Sequence, residues 1–255
     1  MFAVFKREFL SYFRSPVGYV AIALFSFLSG YIFINNFSSG SVNIASEVIS
    51  MRSFFVVIVP IITMGSFAED KKRGTEILYY TTPVDLFSVV FGKFLAAFAL
   101  YMIMFVNIIV HMIVTKSCNG IVGIGDWGSI IVFFFLAALF ISIGLLASAI
   151  TDSQIISAIA CFIIIIFIQL ISTISALVGN TISAFLAVIG VSSESANSIG
   201  TAIVNGMNWL DPFTKTADFR YGVFSVSPLI FCVSFAIVFM FLTFRILEKK
   251  RWAKS

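Results

Sequence analysis

The chain has 255 residues, 60% of them apolar and 11% charged, with a mean hydropathy of +1.09. Soluble domains carry about 25% charged residues, so 16 basic and 12 acidic side chains cannot cover a water-facing surface of this size. An ordinary soluble enzyme, a disordered chain and a nucleic-acid-binding domain are excluded, and the net charge of +4 belongs to a membrane protein's flanks.

Residues 1–15 read as an amphipathic elbow. Phe2, Phe5, Phe9, Tyr12 and Phe13 recur at helical spacing, with Arg7, Ser11 and Arg14 on the other side. Pro16 stops the helix, because the residue before a proline is pushed out of the α region. Such a helix lies in the headgroup plane. A bilayer core of about 30 Å needs about 20 apolar residues per crossing, and six stretches meet that: 17–35, 48–68, 94–114, 128–150, 155–178 and 226–247. The first is retained rather than cleaved, since no small-residue cleavage site follows it. The second holds Pro60, which predicts a kink there. The loop 69–93 is the most charged piece, with five consecutive charges from Glu69 to Arg73 beside Leu78, Tyr79 and Tyr80. Apolar groups rimmed by charge mark a binding surface. The outer loop 117–127, with Gly120, Gly123 and Gly125, reads as a flexible turn. The loop 151–154 is a tight hairpin, with Asp152 and Ser153 suited to cap the next helix. Segment 179–225 is the only long connection. Its pieces 181–190 and 199–207 are too short to span and read as interfacial or re-entrant helices. Trp209 suits an interface anchor.

With the N-terminus inside, Lys6, Arg7, Arg14, Lys71, Lys72, Arg73, Lys93, Arg245, Lys249, Lys250, Arg251 and Lys254 fall inside. They are twelve of the sixteen basic residues; Arg52, Lys116, Lys215 and Arg220 lie outside. The expected fold is an all-α integral membrane protein of six helices, N-in and C-in, forming a single domain over 1–255.

No catalytic machinery is visible. Gly92-Lys93 lacks the rest of a phosphate-binding loop. There is no serine elbow, no metal signature and no disulfide framework in Cys118, Cys161 and Cys232. The polar groups within the spans are Asn107, His111 and Gln169. His111 sits near an outer end and reads as interfacial rather than as a proton relay; Asn107 and Gln169 read as interhelical hydrogen-bonders. Ser26/Gly30, Ala138/Ser142 and Gly144/Ser148 offer close helix packing or dimerisation. The spans lack an engine of their own, and no catalytic, cofactor-binding or metal residue is expected.

The runs Phe5-Lys6-Arg7-Glu8-Phe9, Arg14-Ser15-Pro16-Val17-Gly18-Tyr19 and Pro60 through Thr75, with Thr63-Met64-Gly65-Ser66-Phe67-Ala68-Glu69-Asp70-Lys71-Lys72-Arg73-Gly74, resemble the ABC-2 type permease family. Pro83, Gly92-Lys93-Phe94-Leu95, Leu146-Ala147-Ser148, Thr151, Gln154, Leu247-Glu248 and Arg251-Trp252 are similar to its gliding-motility (GldF-like) branch. Glu76 departs from the pattern by directly following Thr75. The resemblance implies one membrane half of an ABC transporter in the bacterial cytoplasmic (inner) membrane. It also implies an exporter, a homo- or heterodimer of halves, and two separate ATPase subunits that hold the ATP and Mg. The chain itself is then not an enzyme. A coupling helix over about 71–82 would pass the ATPase motion on, through Lys71, Lys72, Arg73, Gly74, Thr75, Glu76, Leu78 and Tyr79. Lys6, Arg7, Thr151, Asp152 and Gln154 would make secondary contacts. Branch relatives often act with an auxiliary subunit carrying a large extracytoplasmic domain. The alternative is an ion-coupled carrier or a structural scaffold with no ATPase; the missing intramembrane carboxylate speaks against the carrier.

Overall fold

The computed structural model describes residues 1–38, 43–77, 85–190 and 192–253. Helix α1 (Phe2–Arg14) ends where expected: Ser15 is extended and Pro16 opens α2 (Pro16–Ser38). The α1 rings of Phe2, Phe5, Phe9 and Phe13 follow one another along one face at 5.3–6.1 Å. The later long helices are α6 (Leu86–Ser117), α7 (Ile124–Ile150), α8 (Gln154–Val188) and α11 (Ser227–Ala253). With α2 they give five helices long and apolar enough to cross a bilayer, and a bent pair brings the number to six. No strand occurs among the described residues.

The bent pair is the second span. It consists of α3 (Ile44–Arg52), α4 (Phe55–Thr63) and α5 (Ala68–Lys72), with a 61° bend between Arg52 and Phe55. The expected kink at Pro60 is not where the span breaks: Pro60 sits inside α4. The break falls at Ser53 and Phe54 because Gln169 Nε2 donates to the carbonyls of Arg52 and Ser53, at 3.3 and 3.2 Å, giving helix-end acceptors a partner. A second interruption, at 64–67, is satisfied by Ser148. Its hydroxyl accepts from the Phe67 and Ala68 amides and donates to the Met64 carbonyl. One turn earlier on α7, Gly144 lets Thr63 approach so closely that a Cβ would lie 2.2 Å from the threonine hydroxyl. The Gly144/Ser148 pair therefore seats the second span on the fourth within one chain. Asn107 donates to Ser26 at 2.7 Å and joins α6 to α2.

Helix α7 is the most enclosed span, and the second span, α6, α8 and α11 all pack against it. Phe55, Tyr101, Phe133 and Phe140 form an aromatic core at their meeting point. The outer loop is packed, not merely a turn. Asp126 holds the Gly123 amide and also the Ala45 amide at 2.7 Å, and Gly125 abuts the Arg220 carbonyl. Residues 181–190 do not form a helix of their own: α8 runs on through them to Val188. Helix α9 (Ser193–Asn208) folds back on it, with Gly179 and Gly200 in contact and Ser175 donating to Asn208. Asp211 then caps α10 (Pro212–Lys215), accepting from the Phe213 amide at 2.8 Å. Trp209 is exposed, with Lys215 over its ring at 4.2 Å.

Candidate functional site at the basic end of the bundle

Residues 66–77, α1, the 151–154 turn and the end of α11 gather at one end of the bundle. The centre is Lys93, one residue after Gly92 in an otherwise apolar run of α6. Its side chain is 1% exposed, and a buried ammonium must be paired. It pairs with Asp70 Oδ2 at 2.6 Å and Glu8 Oε1 at 3.0 Å, and donates to the Ser66 carbonyl. One cation thus ties α1, the inner end of the second span and α6. Arg7 extends the cluster, pairing with Glu8 at 2.5 Å and approaching Asp70 at 3.8 Å. Tyr12 donates to the Ile62 carbonyl at 3.0 Å, and burial pushes its phenol well above the usual range.

Lys71 makes the second tie. Beyond Ala68 the chain leaves the apolar stretch, and the Lys71 amine turns back toward the fourth span. It donates to the carbonyls of Ala149 and Thr151, both at 2.6 Å, and lies 3.4 Å from Asp152. Lys250, from α11, shares the Ala149 carbonyl at 3.3 Å. Burial, and then the neighbouring Lys250, bring the Lys71 amine down to about 8. A cavity of about 450 Å³ opens beside these ties, bordered by Arg7, Ser11, Glu69, Arg73, Thr75 and Gln154.

The structure thus brings Arg7, Lys71, Arg73, Thr75, Thr151, Asp152 and Gln154 into one region. Lys71 is spent on holding the loop, because its side chain is only 6% exposed. Lys6, Lys72, Arg73 and Gly74 are exposed, and Arg73 pairs with Glu69 one turn earlier. Glu76 is half-buried. Ser153 occupies the cap position of α8 without a side-chain bond. Leu78 and Tyr79 lie outside the described residues, as does the rest of the expected coupling helix beyond Ile77. Sequence reasoning missed the roles of Glu8, Asp70, Lys93 and Lys250. A lysine inside an apolar helical run was the available signal, and topology alone explained it too cheaply.

The opposite half holds a second correction. His111 is not a lone interfacial residue. Its Nδ1 lies 2.7 Å from Glu47 Oε1, and its ring stacks on Phe33 at 4.2 Å. Glu47 is 1% exposed and also accepts from Ser29 at 2.6 Å. The carboxylate thought absent from the spans comes from the first turn of α3, which packs against α2 and α6. The polar line continues only to Asn107 and Ser26. Deeper in, Phe25 and Met104 are apolar packing and the buried Tyr101 hydroxyl has no partner, so among the described residues no hydrogen-bonded chain of ionisable groups crosses the bundle.

No curated protein matches the chain. The family model described as ABC-2 family transporter protein matches residues 2–252. With a helical membrane bundle and a charged end-piece already in place, a match over nearly the whole length decides the assignment: the chain belongs to the ABC-2 family of transporter proteins.

Proposed function

We propose that this permease subunit is one half of an exporter of the gliding-motility branch, driven by two separate ATPase subunits that dock on its basic end. The observation that carries the reading is the Lys93–Asp70–Glu8 cluster together with the Lys71 tie. Through them the segment 66–77 is bonded to α1, α6 and the end of α7. Exposed Lys6, Lys72 and Arg73 offer cations to a partner, and the adjoining Leu78 and Tyr79 would supply apolar contact. By the distribution of lysine and arginine this end faces the cytoplasm of a bacterial inner membrane. ATP and Mg would be held by the partner, and a second permease half completes the transporter.

The test is copurification with the ATP-binding protein encoded beside the chain. Lys72→Glu/Arg73→Glu and Leu78→Asp should each abolish retention of the ATPase while membrane insertion stays normal. Normal retention by both variants overturns the docking assignment. The buried Glu47–His111 pair favours an ion-coupled carrier, and transport by the chain without any ATPase would establish it. That pair lies at one end of the bundle with only apolar packing beneath it, which makes it the weaker reading.

A further inference from the structure

We infer that the cleft beside the break in the second span binds a single anionic head group, phosphate or carboxylate, carried by an amphiphile in the outer half of the bilayer. The cleft has a volume of about 450 Å³, and Arg52 and Arg220 both line it. Arg52 is 6% exposed, and Asp211 acts on it without being within ion-pair distance among the described residues. Its Nη1 donates to Thr216 at 3.1 Å, and its buried Nε has no partner. A buried guanidinium with no ion-pair partner in contact is an expensive arrangement at membrane depth, and ionisable groups kept there serve ligands or ions.

The rest of the wall suits an anion. Ser53 and Ser172 bring hydroxyls. The carbonyls of Arg52 and Ser53, which would repel an anion, are already engaged by Gln169. Asp211 is the one acid on the wall; its two oxygens accept from the Phe213 amide and the Thr214 hydroxyl, at 2.8 and 2.5 Å. Two guanidiniums against one engaged carboxylate leave the cleft positive, and a guanidinium matches an oxyanion's paired oxygens.

Depth selects the carrier. Gln169 lies about 22 Å along α8 from its start at Gln154, at 1.5 Å per residue. In a core about 30 Å thick, that is below the boundary opposite the basic end, where a head group and not a freely diffusing solute would arrive. The inference deepens the permease reading by naming a ligand class. Because binding is read on the isolated chain, loss of ATPase docking would leave it untouched.

The experiment is a thermal-shift titration of the purified full chain in a nonionic detergent. The probes are dihexanoyl-phosphatidylglycerol, dihexanoyl-phosphatidylcholine and inorganic phosphate. The phosphatidylglycerol should raise the unfolding midpoint saturably and the phosphatidylcholine should not. Arg220→Gln, an exposed position, should weaken the apparent affinity at least about tenfold. Lys116→Gln, on the same side but outside the cleft, should leave it unchanged. Wild-type affinity in Arg220→Gln overturns the site. Equal stabilisation by the choline lipid overturns the charge argument. Inorganic phosphate acting as well as the glycerol lipid overturns the amphiphile and leaves a free oxyanion as the ligand.

Discussion

Replacing Lys93 by methionine removes a charge but little volume. It takes the buried cation away from Glu8 and Asp70, whose side chains are 15% and 16% exposed and which keep only the more exposed Arg7 as a cation, and it leaves the Ser66 carbonyl without the lysine amine. Breaking a buried ion pair from one side costs about 3–5 kcal/mol, mostly through the uncompensated partner. For a chain of this size that is a fall in midpoint on the order of 10 °C. The same reasoning predicts the rescue. Neutralising both carboxylates in the triple variant Lys93→Met/Glu8→Gln/Asp70→Asn should recover more than half of the loss, because the penalty belongs to stranded charge. Thermal unfolding of the wild type and the single and triple variants in one detergent measures both. A single variant within about 0.5 kcal/mol of wild type, or a triple variant as weak as the single, would refute the account of this cluster.

Gly144→Ala should lose about 1–3 kcal/mol by overpacking, since the new methyl meets the Thr63 hydroxyl and Cβ; Gly144→Ala/Thr63→Ala, which removes that hydroxyl, should recover part of it in the same unfolding assay. Lys71 titrates near 8 in the folded chain against an ordinary 10.5, so between those values the unfolded state holds the extra proton. Stability should therefore rise with pH across that window, and Lys71→Met should flatten the rise in midpoints taken from pH 7.5 to 10.5. Cys118 is exposed whereas Cys161 and Cys232 are buried. A membrane-impermeant maleimide added to intact cells should label the first alone; protection of Cys118 there, with labelling after lysis, would reverse the topology.

Hydropathy made the spans legible because crossing a bilayer is a requirement on every residue of a long stretch. The small pair Gly144/Ser148 was legible for a similar reason: close helix packing leaves few residue choices. What could not be read depends on partners far along the chain. The second span bends at Ser53 because of Gln169, on another helix, while the local signal at Pro60 points elsewhere. Likewise Glu47 precedes the apolar stretch 48–68, and it is α3 that carries it against His111. The continuation of α8 to Val188 was hidden because polar and small residues lower the hydropathy after 178, although these are the residues on which α9 packs. At the basic end, the positions were legible and the bonds were not: Lys93 and Lys71 count as topology signals in the sequence, yet their amines hold the end-piece together.

These two halves differ in how they are fastened, and the difference bears on where a push would be felt. Below the bend, α4 and α5 are held by Ser148, Lys71 and Lys93 to α7 and α6. Above it, α3 is held by Asp126 on the Ala45 amide and by Glu47 against His111. Between them the helix is broken at Ser53 and Phe54, where Gln169 from α8 supplies the missing donors, whereas the other interruption, at 64–67, is itself fastened to α7 by Ser148. Helices resist bending elsewhere because each turn would forfeit hydrogen bonds with no replacement in hydrocarbon. A displacement delivered to the basic end, on the proposed mechanism, would therefore concentrate at this joint. The joint forms one wall of the Arg52 cleft, so the proposed docking surface and the proposed anion site are connected through α5, the turn at 64–67 that Ser148 holds, α4 and this hinge.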